Sequence, residues 1–418
     1  MMPTTKDHYH RTTCRTCLSN NLLMVLPLPA TPVGDAYQAS KEKATDLPTF
    51  PMDVYFCKKC GLIQLLDVVS PSLLYGHFTY ETSISLGLPQ HFVNYAKEVS
   101  ETVKLAPGSR VIDIGSNDGT LLQAFKNLGY SVLGVDTAVT IAERATSRGI
   151  PTIGKLFTSR LAKELVESHG KFSLIVSNNT IANIDDLDDF ISGVKELLDD
   201  NGTFVLETGY GPDVFHEGLF DTIYHEHISY FSIRSFQHFA DRLELVVTDA
   251  KRVPTKGGSI RCYLTRKSAN RTPSNAIKEI LAYEEKVGAN DENVLLELQS
   301  RIQTARRELH TVLAELKAEG KKIGGYGASV GTTTFNYTMG LKELIDYMVD
   351  DNKVKFNMFS PGHGIEVRSS DVLYADKPDA VVILAWRYAE PILKKHQRYV
   401  DEGGEFILPW TKLQRIKR

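Results

Sequence analysis

Residues 109–122 read "SRVIDIGSNDGTLL". Val111, Ile112 and Ile114 give a short apolar run, as expected of a buried strand. Gly115 ends that strand. Gly119 opens a periodic stretch, "DGTLLQAFKNLG", that reads as a helix closed by Gly129. Glycines at such a junction let a ligand approach the backbone closely. The stretch is not G-x-G-x-x-G, and no lysine follows as in a phosphate-binding loop. A tight turn leading into a helix would use the same residues.

Downstream the alternation continues. "YSVLGVD", "PTIGK", "FSLIVSNN" and "TFVLETG" read as strands. Between them "AVTIAERATSRG", "SRLAKELVESHG" and "DLDDFISGVKELLDDNG" read as helices. This order predicts a parallel sheet covered on both faces. "LELVVTDAKRV" and "GSIRCYLTRK" are expected to form an antiparallel edge. Asp136 ends the second strand, where an acidic side chain binds ribose hydroxyls in nucleotide-type sites, or merely caps a helix. Asp113, Gly115, Asn117, Gly119, Asp136 and Asn179 are therefore the candidate cofactor residues. The combination suits S-adenosylmethionine-dependent methyltransferases better than dehydrogenases.

The chain has 418 residues, enough for two or three domains. With 48 basic and 51 acidic residues the net charge is −3, so nucleic-acid binding is not expected. No apolar run approaches the roughly 20 residues of a membrane helix. The opening "MMPTTKDHYHRTTC" does not read as a signal peptide, so a cytoplasmic protein is expected, with no protein partner implied. The helical pattern of residues 275–319 carries Leu295, Leu298, Ile302, Leu309 and Leu316 on one face and is expected to brace two domains. A second alternation follows. "KKIGGYGAS" reads as a strand and Gly-rich turn, "ELIDYMVDD" as a helix running into a strand, and "DAVVILAW" and "EFILPW" as strands around a last helix.

Four of five cysteines form two C-x-x-C pairs, Cys14/Cys17 and Cys57/Cys60. Four thiolates can close a tetrahedron around Zn²⁺ and leave no open position, so such a metal would be structural. Free thiols in a reducing cell, or a redox pair, are the other readings.

"DTIYHEHISYF", residues 221–231, packs Tyr224, His225, Glu226 and His227 together. In an extended segment the two histidines would share one side and Tyr224 and Glu226 the other. The segment follows a strand at the sheet's carboxyl edge, where ligands sit in doubly wound folds. A histidine near neutrality, beside a carboxylate and a phenol, suits general-base work. A His-x-His metal pair or a polar loop remain open on the residues alone. "KGGSIRCY" offers Lys256, Gly258 and Arg261 to an anionic substrate, or is a plain hairpin. The Gly-rich turn "GGYGASVGTTTFNY" offers Ser329, Thr332, Thr333 and Thr334 to a phosphate, or to a helix cap.

In this order the segments "CRTC…CKKCGLIQL", "DIGSNDGTLL", "YHEH", "GGSIR" and "SPGHGI" resemble the sugar C-methyltransferases that act on nucleotide-linked 4-keto-deoxysugars. The resemblance spans nearly the whole chain. It implies an α/β protein: a zinc-binding domain over 1–75, a class I (Rossmann-like) methyltransferase domain over 76–270, a helical connector over 271–320 and a C-terminal Rossmann-like domain over 321–418. It implies S-adenosylmethionine as cofactor, structural Zn²⁺, and a nucleotide-diphospho-keto-sugar as partner. His227 would remove the proton from carbon 3, Glu226 would orient or tune it, and Tyr224 would lie near the enolate oxygen. Tyr80 matches an aromatic that reaches the sugar. Asn183 stands where some members have a histidine that contributes to the sugar pocket. The Gly-rich turn lacks the lysine of the commoner family form, so a nucleotide other than thymidine diphosphate is open. An O- or N-methyltransferase, or a binding protein without turnover, are the alternatives.

Overall fold

The computed structural model describes residues 7–75, 81–84 and 87–418. The central sheet contains β1 (Arg110–Ile114), β2 (Ser131–Asp136), β3 (Thr152–Gly154), β4 (Phe172–Asn178), β5 (Leu198–Gly209), β6 (Leu245–Val253) and β7 (Ser259–Arg266). Their order is β6-β7-β5-β4-β1-β2-β3. The neighbours from β5 to β3 run parallel, and β7 is antiparallel to both β5 and β6. This is the class I methyltransferase sheet. Its reversal of direction on either side of β1 and β4 opens a crevice at their carboxyl ends, where ligands bind. Helix Leu88–Thr102 covers one face with Leu88, Phe92, Tyr95, Ala96 and Val99, spaced by three and four, against Val111, Leu174 and Val205.

The N-terminal module is a small antiparallel sheet of Leu22–Leu26, Val54–Cys57 and Ile63–Leu65. Its fourth strand, Ser229–Tyr230, comes from the segment after β5 and pairs with Ile63–Leu65. The C-terminal sheet contains β8 (Ile323–Tyr326), β9 (Tyr347–Asp350), β10 (Val367–Ser369), β11 (Ala380–Ile383), β12 (Glu405–Leu408) and β13 (Gln414–Ile416), in the order β10-β9-β8-β11-β12-β13. All pairs but the last are parallel. Residues 210–231 lie where the three sheets meet. Phe220 packs there on Phe335 and Trp410, with ring centroids 5.5 and 4.8 Å apart. Among the described residues no helix is long and apolar enough to cross a membrane.

Three local expectations are corrected. The helix expected to run to Gly202 ends at Leu197, and β5 begins at Leu198 with a shifted register before Thr203. The expected continuous helix over 275–319 is two helices, Asn275–Lys286 and Glu292–Ala318, broken at Gly288, whose φ is 65°. The helix of the Gly-rich turn is Val330–Met339 rather than the segment before "DYMVDD". Its threonines disguise it: the Thr333 hydroxyl donates to Gly34 O and that of Thr334 to Ile223 O, each at 2.7 Å, so they staple modules together instead of facing a phosphate.

Candidate active site

The cofactor cradle begins at β1. Gly115 has φ 84°, and a Cβ there would strike the Thr180 hydroxyl, so only glycine lets the two loops close. Asn117 follows, also with positive φ (49°), and its Oδ1 accepts from Thr82 N at 2.8 Å. Gly119 heads helix Thr120–Asn127. Asp136, at the end of β2, accepts from Asn117 N and Ala138 N, both at 2.8 Å, which fixes the two loops side by side. Burial pushes Asp113 and Asp136 above the ordinary carboxylate range, and the Asp136 charge adds to the effect on Asp113. Asp113 Oδ1, Ser116 Oγ and both amide atoms of Asn178 are buried without partners, and all three residues line the cavity. A cradle with unpaired polar atoms and two carboxyls short of positive charge suits a ligand carrying ribose hydroxyls and a cationic group.

The cavity is about 1170 Å³ and runs from this cradle to the C-terminal sheet. Midway stand Tyr224, Glu226, His227 and Lys256. The expected extended segment is instead a turn, closed by His227 N–H donating to Tyr224 O at 2.9 Å. The turn undoes the alternation and gives the two histidines different partners. His225 is buried and donates from Nε2 to Phe50 O (3.2 Å) in the N-terminal module. His227 faces the cavity with the Tyr224 ring tilted against it, centroids 4.1 Å apart and planes at 33°. Its Nδ1–H donates to Thr222 O at 3.1 Å, so Nε2 carries the lone pair, and Tyr224 OH donates to it at 3.1 Å. Burial first, then the charges of Lys256 and Arg387, pull His227 down to about 4. Its ring is neutral at pH 7. The orientation expected of Glu226 is supplied by the Thr222 carbonyl. Glu226 is itself pushed up to about 7 by burial, with Asp35 adding, and its Oε2 has no partner. When protonated it can donate its O–H into the cavity.

The other expected site residues divide. Asn179, Asn183, Gly258 and Ser329 line the cavity, and Asn183 Oδ1 is buried and unpaired. Arg261 does not line it. Its guanidinium is buried in β7, paired with Glu207 at 2.8 Å and stacked over Tyr95 at 4.0 Å. Tyr80 lies outside the described residues. Residues the sequence reading passed over also reach the cavity: Thr222, Asp350, Lys355 and Arg387. Arg387 Nε lies 3.4 Å from Asp221 Oδ2, a buried carboxylate. Its place in "WRYAEPI", just beyond strand β11, was the available signal.

Cys14, Cys17, Cys57 and Cys60 bring their sulfurs within 4.8 Å of one another, with Cys14–Cys60 and Cys17–Cys57 at 3.5 Å. Sulfurs about 2.3 Å from a tetrahedral Zn²⁺ would be roughly 3.8 Å apart. The four thiols fit that ion. Among the described residues no other group of His, Cys, Asp or Glu does.

The chain is 31% identical over 397 residues to the C-methyltransferase NovU of Streptomyces niveus, spanning 95% of this chain and 94% of that protein. The chain belongs to the C-methyltransferase family. Family models match this C-methyltransferase in three blocks. They are described as "Putative zinc binding domain" (residues 14–75), "Methyltransferase domain" (90–250) and "C-methyltransferase C-terminal domain" (254–410). A ubiquinone biosynthesis O-methyltransferase of Chelativorans is 28% identical over 102 residues, 24% of this chain and 40% of that protein. A solved S-adenosylmethionine-dependent methyltransferase from Clostridium acetobutylicum overlaps 47% of the chain and 95% of its own, at 15% identity and TM-score 0.35. The C-methyltransferase thus joins an S-adenosylmethionine-binding sheet to a four-cysteine zinc-binding module.

Proposed function

We propose that this C-methyltransferase methylates carbon 3 of a nucleotide-diphospho-4-keto-deoxysugar, with His227 as the base. The observation that carries the reading is the placement of His227. It is neutral, tied at Nδ1 to Thr222 O, and presents Nε2 to a cavity that joins the cofactor cradle to the C-terminal sheet. The sequence resemblance supplies the sugar and the position. The size of the cavity and the cations Lys256 and Arg387 on its wall suit an anionic two-part substrate.

Nε2 takes the carbon 3 proton, and the electrons of that bond move toward the carbon 4 ketone. A carbon acid beside a ketone needs both a base and a donor for the oxyanion. Tyr224 holds Nε2 at rest. When the acceptor takes its place, the phenol donates to the enolate oxygen, and Lys256 on the cavity wall opposes the negative charge. S-adenosylmethionine, when bound by Asp113, Asn117, Asp136 and Asn179, supplies an electrophilic methyl group and leaves as a thioether. Glu226 donates to a sugar oxygen, and Asn183 shapes the pocket where, by the sequence resemblance, some family members carry a histidine. Ser329 lies at the nucleotide end.

The test is incubation with S-adenosylmethionine and a panel of 4-keto-6-deoxy and 4-keto-2,6-dideoxy nucleotide sugars in D₂O, read by mass and NMR. A carbon 3 methyl that vanishes in His227→Asn is expected. Methyl transfer to oxygen, or no transfer and no deuterium at carbon 3 on any member, would overturn the reading.

A further inference from the structure

The catalytic turn is built in part from the zinc-binding module. Ser229 pairs opposite Gln64 and Tyr230 opposite Ile63, while Leu65 N–H donates to Ile228 O at 3.0 Å. Arg15 sits at the centre of this junction. It stands between Cys14 and Cys17 with its side chain wholly buried. Its Nη1 reaches Leu65 O, Ile228 O at 3.3 Å and Gln64 Oε1 at 3.3 Å. Its Nε donates to Asp185 Oδ1 at 2.8 Å. Ile228 directly follows His227, and Asp185 lies on the loop of Asn183. One guanidinium therefore ties the cysteine knuckle to both loops that flank the acceptor end of the cavity. The knuckle is anchored from outside as well, by Arg242 Nε donating to Thr16 O at 2.8 Å.

An arginine is needed for this geometry. Its planar fork serves acceptors in two directions at once, whereas an ammonium is a point charge on a flexible stem. Proton abstraction from carbon tolerates little misplacement of the base. An error of about 1 Å costs on the order of 100-fold in rate.

We propose that Arg15 is a positioning residue for His227: the metal-held knuckle fixes the guanidinium, and the guanidinium fixes the turn that aims Nε2. The proposal rests on the reading of His227 as the base. Zinc takes no part in the proton transfer.

The test uses the full-length zinc-loaded protein with Arg15→Lys and Asp185→Asn. Four quantities are measured: zinc content, S-adenosylmethionine affinity by calorimetry, kcat and KM for the acceptor, and the ring signals of ¹⁵N-labelled histidine, with His227→Asn assigning His227. We expect both variants to keep their zinc and to bind S-adenosylmethionine as the parent does. In Arg15→Lys kcat falls roughly 10- to 100-fold with KM little changed, and the His227 signal moves from a fixed Nδ1–H tautomer toward a mixture. Asp185→Asn moves both readouts the same way, by less. An unmoved His227 signal in both variants would overturn the proposal. So would joint loss of zinc and cofactor binding in both, which marks a merely structural arginine. If Arg15→Lys does not fold, Asp185→Asn decides alone. The histidine signals need no acceptor. A parent protein with the fixed tautomer but no turnover would therefore sink the functional reading and leave the positioning role standing.

Discussion

The carbonyl oxygen of Thr222 accepts the Nδ1 hydrogen of His227 at 3.1 Å, five residues along the same turn. A backbone group fixes the tautomer of the ring, so no carboxylate is needed behind it. Replacing His227 by Asn keeps a side-chain polar group but removes the basic nitrogen. We expect kcat to fall on the order of 100- to 10 000-fold with S-adenosylmethionine affinity unchanged, measured by turnover and calorimetry on one preparation. Equal loss of both would mean that the residue builds the site and does not act as its base.

The pH profile follows from two opposite displacements. His227 is active only when neutral, and it is pulled from 6.5 down to about 4, so activity holds from pH 7 to about 5 and fails as pH falls through about 4. Glu226 is pushed from 4.5 up to about 7, so it is a donor below that pH and a carboxylate above it. We expect kcat/KM to decline above about 7, and Glu226→Gln to remove that decline. Stability obeys the same signs. The raised Glu226 costs the native state stability progressively as pH rises from 4.5 to 7, so at pH 8 Glu226→Gln should melt higher than the parent. A lower Tm there would contradict the burial of this carboxyl with Oε2 unpaired.

The cofactor cradle makes a prediction about affinity alone. Asp136→Asn replaces one of the two acceptors that hold Asn117 N and Ala138 N with a donor. Gly115→Ala drives a Cβ into Thr180 at a φ of 84°. Each should raise the Kd for S-adenosylmethionine by roughly tenfold or more, about 1.4 kcal/mol, in equilibrium titration. An unchanged Kd in Gly115→Ala would show that the close approach is dispensable.

Zinc removal should act far from the metal. Cys60→Ser, or chelation, takes away a tetrahedral tie in a module with only a small core of its own, and metal binding supplies much of the folding energy of such modules. We expect the zinc signal in elemental analysis to disappear and Tm to fall. Methyl transfer should be lost before S-adenosylmethionine binding, because His227 leans on this module and Asp136 does not. Loss in the reverse order would refute that division.

The central sheet was legible because its strands are buried on both faces and its helices carry a clean 3.6-residue stripe. Gly115 and Asp136 stood at strand ends where the chain has to turn, and the cysteine pairs announced themselves by spacing. Side-chain direction inside the turn was not legible. Alternation holds for extended backbone, and the hydrogen bond from His227 N to Tyr224 O bends that segment, so His225 turns to Phe50 while His227 faces the cavity. Arg261 looked like an anion binder because a cation beside two glycines carries no mark of the Glu207 that already holds it. Thr222, Arg387 and Lys355 join the site through tertiary packing that no local pattern encodes. The helix Val330–Met339 hid behind threonines whose hydroxyls bond to segments more than 100 residues away.

The pairing of Ser229–Tyr230 with Ile63–Leu65 also bears on the order in which this chain can fold. This module leaves the ribosome ahead of the methyltransferase sheet and lacks its last strand until more than 150 further residues have been made. Its edge at Ile63–Leu65 must wait, exposed, while the methyltransferase sheet assembles, and an open edge is a place where chains pair wrongly. A fragment of residues 1–75 should accordingly gather zinc yet aggregate. The same fragment with a tethered copy of residues 224–232 should stay monomeric by size-exclusion chromatography. The module comes early in the sequence and closes late by topology, finished by the same segment that carries the proposed base.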